Sequence, residues 1–314
     1  MTTRTALALG GGGTRGSYER GAHALLVEQG FVFDAVAGVS IGAINALALS
    51  LFSPEDGHSA VKLLADIWHG VKKKDFYRHH RPLGVLQIPM KGSVYDTSPL
   101  KEYLHQFCQG RRKRPFLCVA VDLDTGEEMV IHTEDALDGH DLTDAVLGSA
   151  AIPMLFPPVP WHGRKLVDGG LRSTVPVRQV WDSPYMKADR VVAITPQPPK
   201  LTRLPQQRDG FAIIRHGMRA IDIAMTDIVE EDFQDACLRG PTLVIRPREE
   251  LPGHSLEFDP HLLMELYCLG RLDAERALRD SGLRVYAHNE DSDLSVRRMY
   301  RQQEPLFAAC HHSM

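Results

Sequence analysis

The sequence predicts an α/β protein with a mainly parallel central sheet flanked by helices on both faces. Short apolar segments typical of buried strands alternate along the chain with segments of helical periodicity. Parallel neighbours need a crossover connection, usually a helix, and helices then cover both faces of the sheet. The order of elements therefore predicts a three-layer sandwich.

In the first half of the chain, we predict a strand where a short apolar run ends in glycine or serine. We predict a helix where apolar residues recur at helical spacing. In order, these elements are a strand at 5–9, a glycine loop at 10–13, a helix at 17–29 that Gly30 ends, a strand at 35–39, a buried helix at 41–52, and helices that begin at Ser53-Pro54 and at Ser98-Pro99. Residues 72–96 show no clear period, and we interpret them as a flap or loop near the functional site.

The second half continues the alternation. Its predicted elements are a hairpin of 116–121 with 128–132, a short helix at 141–150, and a strand at 165–167 that leads into Asp168. They are followed by a strand at 190–194, a long helix at 209–238, a strand at 242–245 and a helix at 260–281. We predict one domain over residues 1–288, best supported over 5–200, and a polar, disordered tail at 289–314.

The composition is that of an ordinary globular chain. Its 314 residues are 43% hydrophobic and carry a net charge of −4, so no global field favours nucleic acid, and we expect no nucleic-acid partner. The five cysteines are scattered without a CxxC pair, which argues against disulfides and a zinc site. Without a signal peptide or an apolar stretch of membrane-spanning length, the chain is expected to be cytoplasmic, at most peripheral to a membrane.

Two basic clusters stand out against this composition. One comprises Lys72–Lys74 with Arg78–Arg81, and the other Arg111–Arg114. We interpret both as solvated faces or turns, with contact to anionic lipid headgroups as the alternative.

The pattern G-x-S-x-G occurs at Gly38-Val39-Ser40-Ile41-Gly42, between a predicted strand and a predicted helix. In that context it is typical of a nucleophile elbow, a sharp turn that lifts the serine hydroxyl clear of the backbone. Glycine on either side lets strand and helix approach closely. Ser40 is therefore the candidate nucleophile.

A glycine-rich loop, Gly10–Gly13 followed by Thr14-Arg15-Gly16, connects the first strand to the first helix. Its backbone amides could bind the oxyanion that forms during acyl transfer. The same letters fit the dinucleotide pattern G-x-G-x-x-G, with Asp34 near the ribose-binding spacing. Asp34 lies at the start of the second strand, however, whereas a ribose-binding acid belongs at its end.

An activated serine needs a base, and fifteen histidines are available. None stands in a motif. His216, His254 and His261 follow Asp168 in the chain, and we expect them to be surface or capping residues. Asp168-Gly169-Gly170 follows a predicted strand, but alone this tripeptide indicates only a turn.

Taken together, the Gly11–Gly16 loop, the Ser40 elbow and Asp168-Gly169-Gly170 resemble the patatin-like phospholipase family in order and spacing. The segments Ser149–Pro153 and Phe156–Val159 are similar to the family's residues before its aspartate. The resemblance implies a patatin-type sandwich and a Ser40–Asp168 dyad without histidine.

The residues that the resemblance assigns fall into two further groups. The oxyanion hole would be formed from Gly11, Gly12, Gly13, Thr14 and Arg15, and the supporting glycines would be Gly16, Gly38, Gly42, Gly169 and Gly170. Arg15 has two possible roles at this stage: fixing the glycine loop or meeting an anionic headgroup.

The predicted activity is hydrolysis of carboxylic esters of phospholipids or lysophospholipids at a membrane or micelle surface, through an acyl-enzyme, with no metal or other cofactor. Two alternatives remain open. One is an esterase or thioesterase acting on soluble acyl substrates. The other is a non-enzymatic lipid-binding protein on the same fold.

Overall fold

The computed structural model describes residues 3–79, 93–107, 110–203 and 212–281. Its contacts divide the chain into a unit that ends at Ala277 and a second unit that begins at Leu278. The sheet and the candidate site belong to the first unit. Of the second unit only residues 278–281 are described, and the predicted tail at 289–314 lies outside the described residues.

The strands of the described residues form one large sheet and one small ribbon. They are β1 (Thr5–Leu9), β2 (Ala35–Val39), β3 (Arg78–His79), β4 (Tyr95–Asp96), β5 (Phe116–Asp122), β6 (Glu128–His132), β7 (Val159–Trp161), β8 (Arg164–Asp168), β9 (Arg190–Ile194) and β10 (Thr242–Ile245). The eight-stranded sheet has the order β10-β9-β1-β2-β5-β8-β7, with β6 also paired to β5. Strands β3 and β4 form the ribbon.

Most of the large sheet is parallel, as predicted. β10, β9, β1, β2 and β5 pair in parallel, whereas β6, β8 and β7 are antiparallel additions at one edge. The central strands β1 and β2 are buried along their whole length. This burial on both faces explains why their sequences are continuously apolar rather than alternating.

The α-helices of the described residues complete the layers. They are α1 (Gly16–Glu28), α2 (Ile41–Ser50), α3 (Gly57–Gly70), α4 (Lys73–Phe76), α5 (Ser98–Phe107), α6 (Gly139–Ser149), α7 (Val177–Asp182), α8 (Ala212–Arg239) and α9 (Pro260–Asp280). Within these ranges, no helix combines the length and apolar composition needed to cross a bilayer.

Helices cover both faces of the sheet. On one face, Ala6, Ala8 and Ala37 belong to a core cluster with Val180 of α7 and Val229 of α8. Side chains alternate along a strand, so Leu7 and Leu9 point to the other face. There α2 packs against β1, β2 and β5. The predicted sandwich is therefore confirmed.

Several details depart from the sequence-based prediction. The helix expected to begin at Ser53-Pro54 begins at Gly57, and β7 and α7 were not predicted. Part of the 72–96 segment is ordered as α4 and the β3–β4 ribbon, and its residues 80–92 lie outside the description. Whether the segment acts as a flap stays a prediction.

The second basic cluster is not wholly solvated, which corrects the interpretation above. Arg114 is only 5% exposed, and its guanidinium donates to the carbonyls of Phe33, Phe52 and Ser53. Burial lowers the pKa of Arg114 to about 10. Arg114 therefore fixes the connections around β2, while Lys72, Lys73 and Lys74 of the first cluster are exposed.

Candidate active site

Ser40 stands alone between β2 and α2, in a strained backbone conformation with φ 55° and ψ −123°. Positive φ is uncommon for a residue with a side chain and costs free energy. A Cβ on Gly42 would lie 2.4 Å from the carbonyl oxygen of Leu9, and one on Gly38 would lie 2.1 Å from that of Gly42. The close approach of β1, β2 and α2 thus requires glycine on both sides of Ser40, as the elbow pattern predicts.

The hydroxyl of Ser40 donates a hydrogen bond to Asp168, with 2.7 Å between Oγ and Oδ2. Both residues are buried, at 5% and 7% exposed. The other carboxylate oxygen of Asp168 accepts the N–H of Gly170 at 2.8 Å. Burial raises the pKa of Asp168 to about 6, although the hydrogen bonds from Ser40 and Gly170 act to lower it.

The register of the sheet explains why two residues so far apart in sequence meet. Val39 of β2 lies opposite Val119 of β5. The next residue of β5, Ala120, lies opposite Asp168 at the end of β8. Strand β5 therefore brings the end of β8 beside the elbow, although β8 is antiparallel to β5.

Ser149, at the end of α6, supports the elbow from behind. Its Oγ accepts the N–H of Ser40 at 3.0 Å and donates to the carbonyl of Val119 at 2.5 Å. Ser149 is fully buried. Ser149 belongs to the family-like segment Ser149–Pro153, in which the sequence predicts no role for it, and its hydroxyl connects the elbow to β5.

The glycine loop runs alongside Ser40, but most of its amides are already bonded. The N–H groups of Gly11, Thr14 and Arg15 donate to the carbonyls of Thr174, Ser255 and Gly12, at 3.0, 2.9 and 3.2 Å. Gly12 and Gly13 line the pocket beside Ser40. Among the described residues, no acceptor is bonded to the N–H of either glycine, so these two amides are available to a ligand.

A pocket that is open to solvent is lined by Ser40 and Asp168. The empty space within it and in the solvent at its opening is about 470 Å³. Its apolar wall includes Ile152, Leu171 and Met225. Met225 belongs to α8, which therefore forms part of the wall over the dyad. A mostly apolar pocket with a few polar groups near a nucleophile suits an acyl chain with an ester at its end.

Three further polar residues, Gln197, Asp222 and Ser255, line the pocket. Gln197 is 1% exposed, and its Oε1 has no partner among the described residues. Burial raises the pKa of Asp222, while the nearby Arg15 and Arg219 act to lower it. None of these three residues was identified from the sequence, because nothing in their local pattern marks a pocket wall.

Arg15 is 5% exposed, and its charge acts on Asp222 of the pocket wall. Burial lowers the pKa of its guanidinium, which the charges of Asp222 and Glu250 partly offset. Its Nε has no hydrogen-bond partner in the described part of the chain. Arg15 thus contributes positive charge near the pocket-lining Asp222 and does not line the pocket itself.

The alternative readings of the sequence find no support at this site. His216, His254 and His261 are all exposed, as predicted, and the hydroxyl of Ser40 donates to Asp168 instead. Asp34 accepts the N–H of Thr5 at the start of β2, away from the glycine loop. Within the described ranges, no three His, Cys, Asp or Glu side chains are placed to hold a metal ion.

A sequence model described as patatin-like phospholipase matches residues 7–181, more than half of the chain. The chain belongs to the patatin-like phospholipase family. The matched range contains the glycine loop, Ser40 and Asp168, whereas α8, β10 and α9 lie beyond it. At the level of the family, membership supports a lipid hydrolase.

Curated relatives cover a similar part of the chain. An uncharacterized NTE family protein of Mycobacterium tuberculosis is 32% identical over 174 residues, which is 54% of this chain and 27% of that protein. Patatin-like phospholipase domain-containing protein 7 of Rattus norvegicus is 28% identical over 177 residues, 54% of this chain and 12% of its own length. The alignments thus span about a quarter or less of these relatives.

Among solved structures, VipD from Legionella pneumophila matches with 15% identity and a TM-score of 0.46, covering 88% of this chain and 67% of its own.

Proposed function

We propose that this protein is a lipid acyl hydrolase that cleaves carboxylic ester bonds of phospholipids or lysophospholipids. The observation that carries the proposal is the buried 2.7 Å hydrogen bond from Ser40 Oγ to Asp168 Oδ2, which lies in the wall of a largely apolar pocket. A serine hydroxyl is a weak nucleophile until a neighbouring base takes its proton. Asp168 is positioned to be that base.

In the first half-reaction, Asp168 accepts the Ser40 proton as Oγ attacks the ester carbonyl. The N–H groups of Gly12 and Gly13 stabilise the negative charge on the carbonyl oxygen. Collapse of the tetrahedral intermediate expels the alcohol, which takes the proton from Asp168. The pKa of Asp168, raised by burial to about 6, makes it a stronger base than an exposed aspartate.

In the second half-reaction, water attacks the acyl-enzyme and Asp168 accepts its proton. The same two amides stabilise the second oxyanion, and the proton returns to Ser40 as the fatty acid leaves. The positive end of the α2 dipole, directly behind Ser40, favours the negative charge in both steps.

The place of action that we propose is the surface of a membrane or micelle, with the chain cytoplasmic and at most peripheral to the bilayer. The exposed Lys72, Lys73 and Lys74 support this location, because basic side chains are attracted to anionic lipid headgroups.

The proposal is tested with a short-chain phosphatidylcholine, followed by mass spectrometry of the released fatty acid and lysolipid. We expect hydrolysis that rises sharply when the substrate passes its critical micelle concentration, and none with Ser40→Ala. Hydrolysis of soluble p-nitrophenyl esters without attack on monomeric or micellar lipid would instead indicate an esterase of soluble substrates.

A further inference from the structure

A buried carboxylate outside the dyad holds the segment that follows it. Asp232 of α8 is 6% exposed. Its Oδ2 accepts the N–H groups of Thr174 and Val175 at 2.8 and 3.1 Å and the hydroxyl of Thr174 at 3.2 Å. The hydroxyl of Ser173 lies 3.3 Å from the same oxygen, with the carbonyl of Val175 as a competing acceptor at 3.2 Å. Three donors from Thr174 and Val175 thus converge on a single oxygen atom, so the carboxylate fixes both the position and the direction of this segment.

Residues 173–175 are bonded in turn to the glycine loop. The carbonyl of Thr174 accepts the N–H of Gly11 at 3.0 Å. Gly11 directly precedes Gly12 and Gly13, which line the pocket. A displacement of Thr174 would therefore be passed to the oxyanion amides through one hydrogen bond and one or two peptide units.

The same segment is also tied to the catalytic aspartate. The N–H of Ser173 donates to the carbonyl of Gly169 at 3.0 Å, and Gly169 follows Asp168 directly. Residues 173–175 therefore lie between the base and the oxyanion loop and are bonded to both sides.

Burying a carboxylate is costly unless its hydrogen bonds are satisfied. Burial raises the pKa of Asp232 to about 6, while the hydrogen bonds from Val175, Thr174 and Ser173 act to lower it. An apolar side chain could fill the site without this cost, but it would not orient two backbone N–H groups.

We propose that Asp232 is a positioning residue, which fixes residues 173–175 so that the amides of Gly12 and Gly13 stay aligned with Ser40. The inference rests on the proposed function of those amides. Asp232 itself touches no reacting atom, and it lies beyond the residues matched by the family model. Helix α8 would then have two roles, since Met225 forms part of the pocket wall and Asp232 anchors the segment beneath it.

The test uses the full chain with Asp232→Ala, Asp232→Asn and the matched control Asp235→Ala. Asp235 lies one turn further along α8, and its carboxylate pairs with Arg239 at the surface. The asparagine keeps a carbonyl oxygen that can accept the two N–H groups, whereas alanine removes it. Thermal unfolding identifies a temperature at which all four proteins are folded.

Two readouts are taken at that temperature. For a p-nitrophenyl ester, we expect Asp232→Ala to lower kcat by about 10- to 100-fold with KM changed less than about threefold, because misplaced amides weaken transition-state binding. Asp232→Asn should recover most of kcat, and Asp235→Ala should equal wild type. Hydrogen exchange in the peptide covering residues 9–16 should be faster in Asp232→Ala alone.

The proposal is overturned if folded Asp232→Ala keeps the wild-type kcat and the wild-type exchange in residues 9–16. It is also overturned if asparagine lowers kcat as much as alanine, since acceptance of the two N–H groups would then not be the role of this side chain. A wild-type chain that hydrolyses no ester refutes the proposed function instead, and hydrogen exchange alone then decides whether Asp232 positions the loop.

Discussion

The backbone N–H of Ser40 donates to the hydroxyl of Ser149, and that hydroxyl donates to the carbonyl of Val119. The strained turn at Ser40 is thus stabilised by the side chain of Ser149, which is itself hydrogen-bonded to β5. β5 also carries Ala120, which lies opposite Asp168. Strand β5 therefore positions both the nucleophile and the base, which limits the movement of Ser40 relative to Asp168.

Ser149→Ala should lower both stability and activity. It leaves the N–H of Ser40 and the carbonyl of Val119 buried without this partner, at a cost of about 1–3 kcal/mol. Chemical denaturation and ester hydrolysis would measure the two effects. The control is Ser50→Ala, which removes a buried hydroxyl that donates to Leu47 within α2. A Ser149→Ala protein with wild-type kcat would show that the elbow does not need this support.

Activity should rise with pH as Asp168 loses its proton. Only the carboxylate can accept the proton of Ser40, and burial raises the pKa of Asp168 to about 6. We expect kcat/KM for a neutral ester to increase through that pH with a slope of one and then to reach a plateau. A profile that is flat between pH 5 and 8 would be inconsistent with Asp168 as the base.

Asp168→Asn should be inactive yet more stable than wild type at pH 8. The pKa of Asp168 is raised from 3.8 to about 6 by burial, so between those values the folded chain binds more protons than the unfolded chain. The free energy of unfolding therefore falls as pH rises through this window. The asparagine does not titrate, so the variant does not lose this part of the free energy of unfolding, which is on the order of 1–3 kcal/mol. Melting temperatures that differ at pH 8 and converge near pH 4 are expected.

Asp222→Asn should shift substrate preference toward anionic esters, because one of the two carboxylates that compensate the positive charges of Arg15 and Arg219 is removed and Glu250 remains. We expect the ratio of kcat/KM for mono-p-nitrophenyl adipate to that for p-nitrophenyl hexanoate to increase about three- to tenfold, equivalent to about 1 kcal/mol. Asp227→Asn, an exposed change on the same helix, is the control. An unchanged ratio would mean that Asp222 does not set the charge preference of the pocket.

Much of the fold follows from local sequence pattern. β1 and β2 are short, continuously apolar and end at glycine or serine, so both strands and the elbow at Ser40 were predicted with correct bounds. β7 was missed because it has only three residues, one of them Pro160. α7 was missed because six residues give too little helical periodicity.

The site was less accessible to sequence reasoning wherever it depends on long-range contacts. The carbonyls of Thr174 and Ser255 accept the N–H groups of Gly11 and Thr14. These distant residues therefore determine which amides of the glycine loop remain free. Ser255 lies in a loop beyond β10, and no local pattern connects it with residue 14. Likewise, the sequence shows Asp232 as one of several acidic residues on a long helix, and only the burial of its side chain in the folded chain distinguishes it from the others.

The central claim is that Ser40 is a nucleophile activated by Asp168, and covalent labelling tests it most directly. The full chain is incubated with a fluorophosphonate, and the adduct is located by peptide mass spectrometry beside folded Ser40→Ala and Asp168→Asn. We predict one adduct, at Ser40, that is absent from Ser40→Ala and forms at least about 100-fold more slowly in Asp168→Asn. A folded wild-type chain that remains unlabelled, or that is labelled at the same rate without Asp168, would contradict the account.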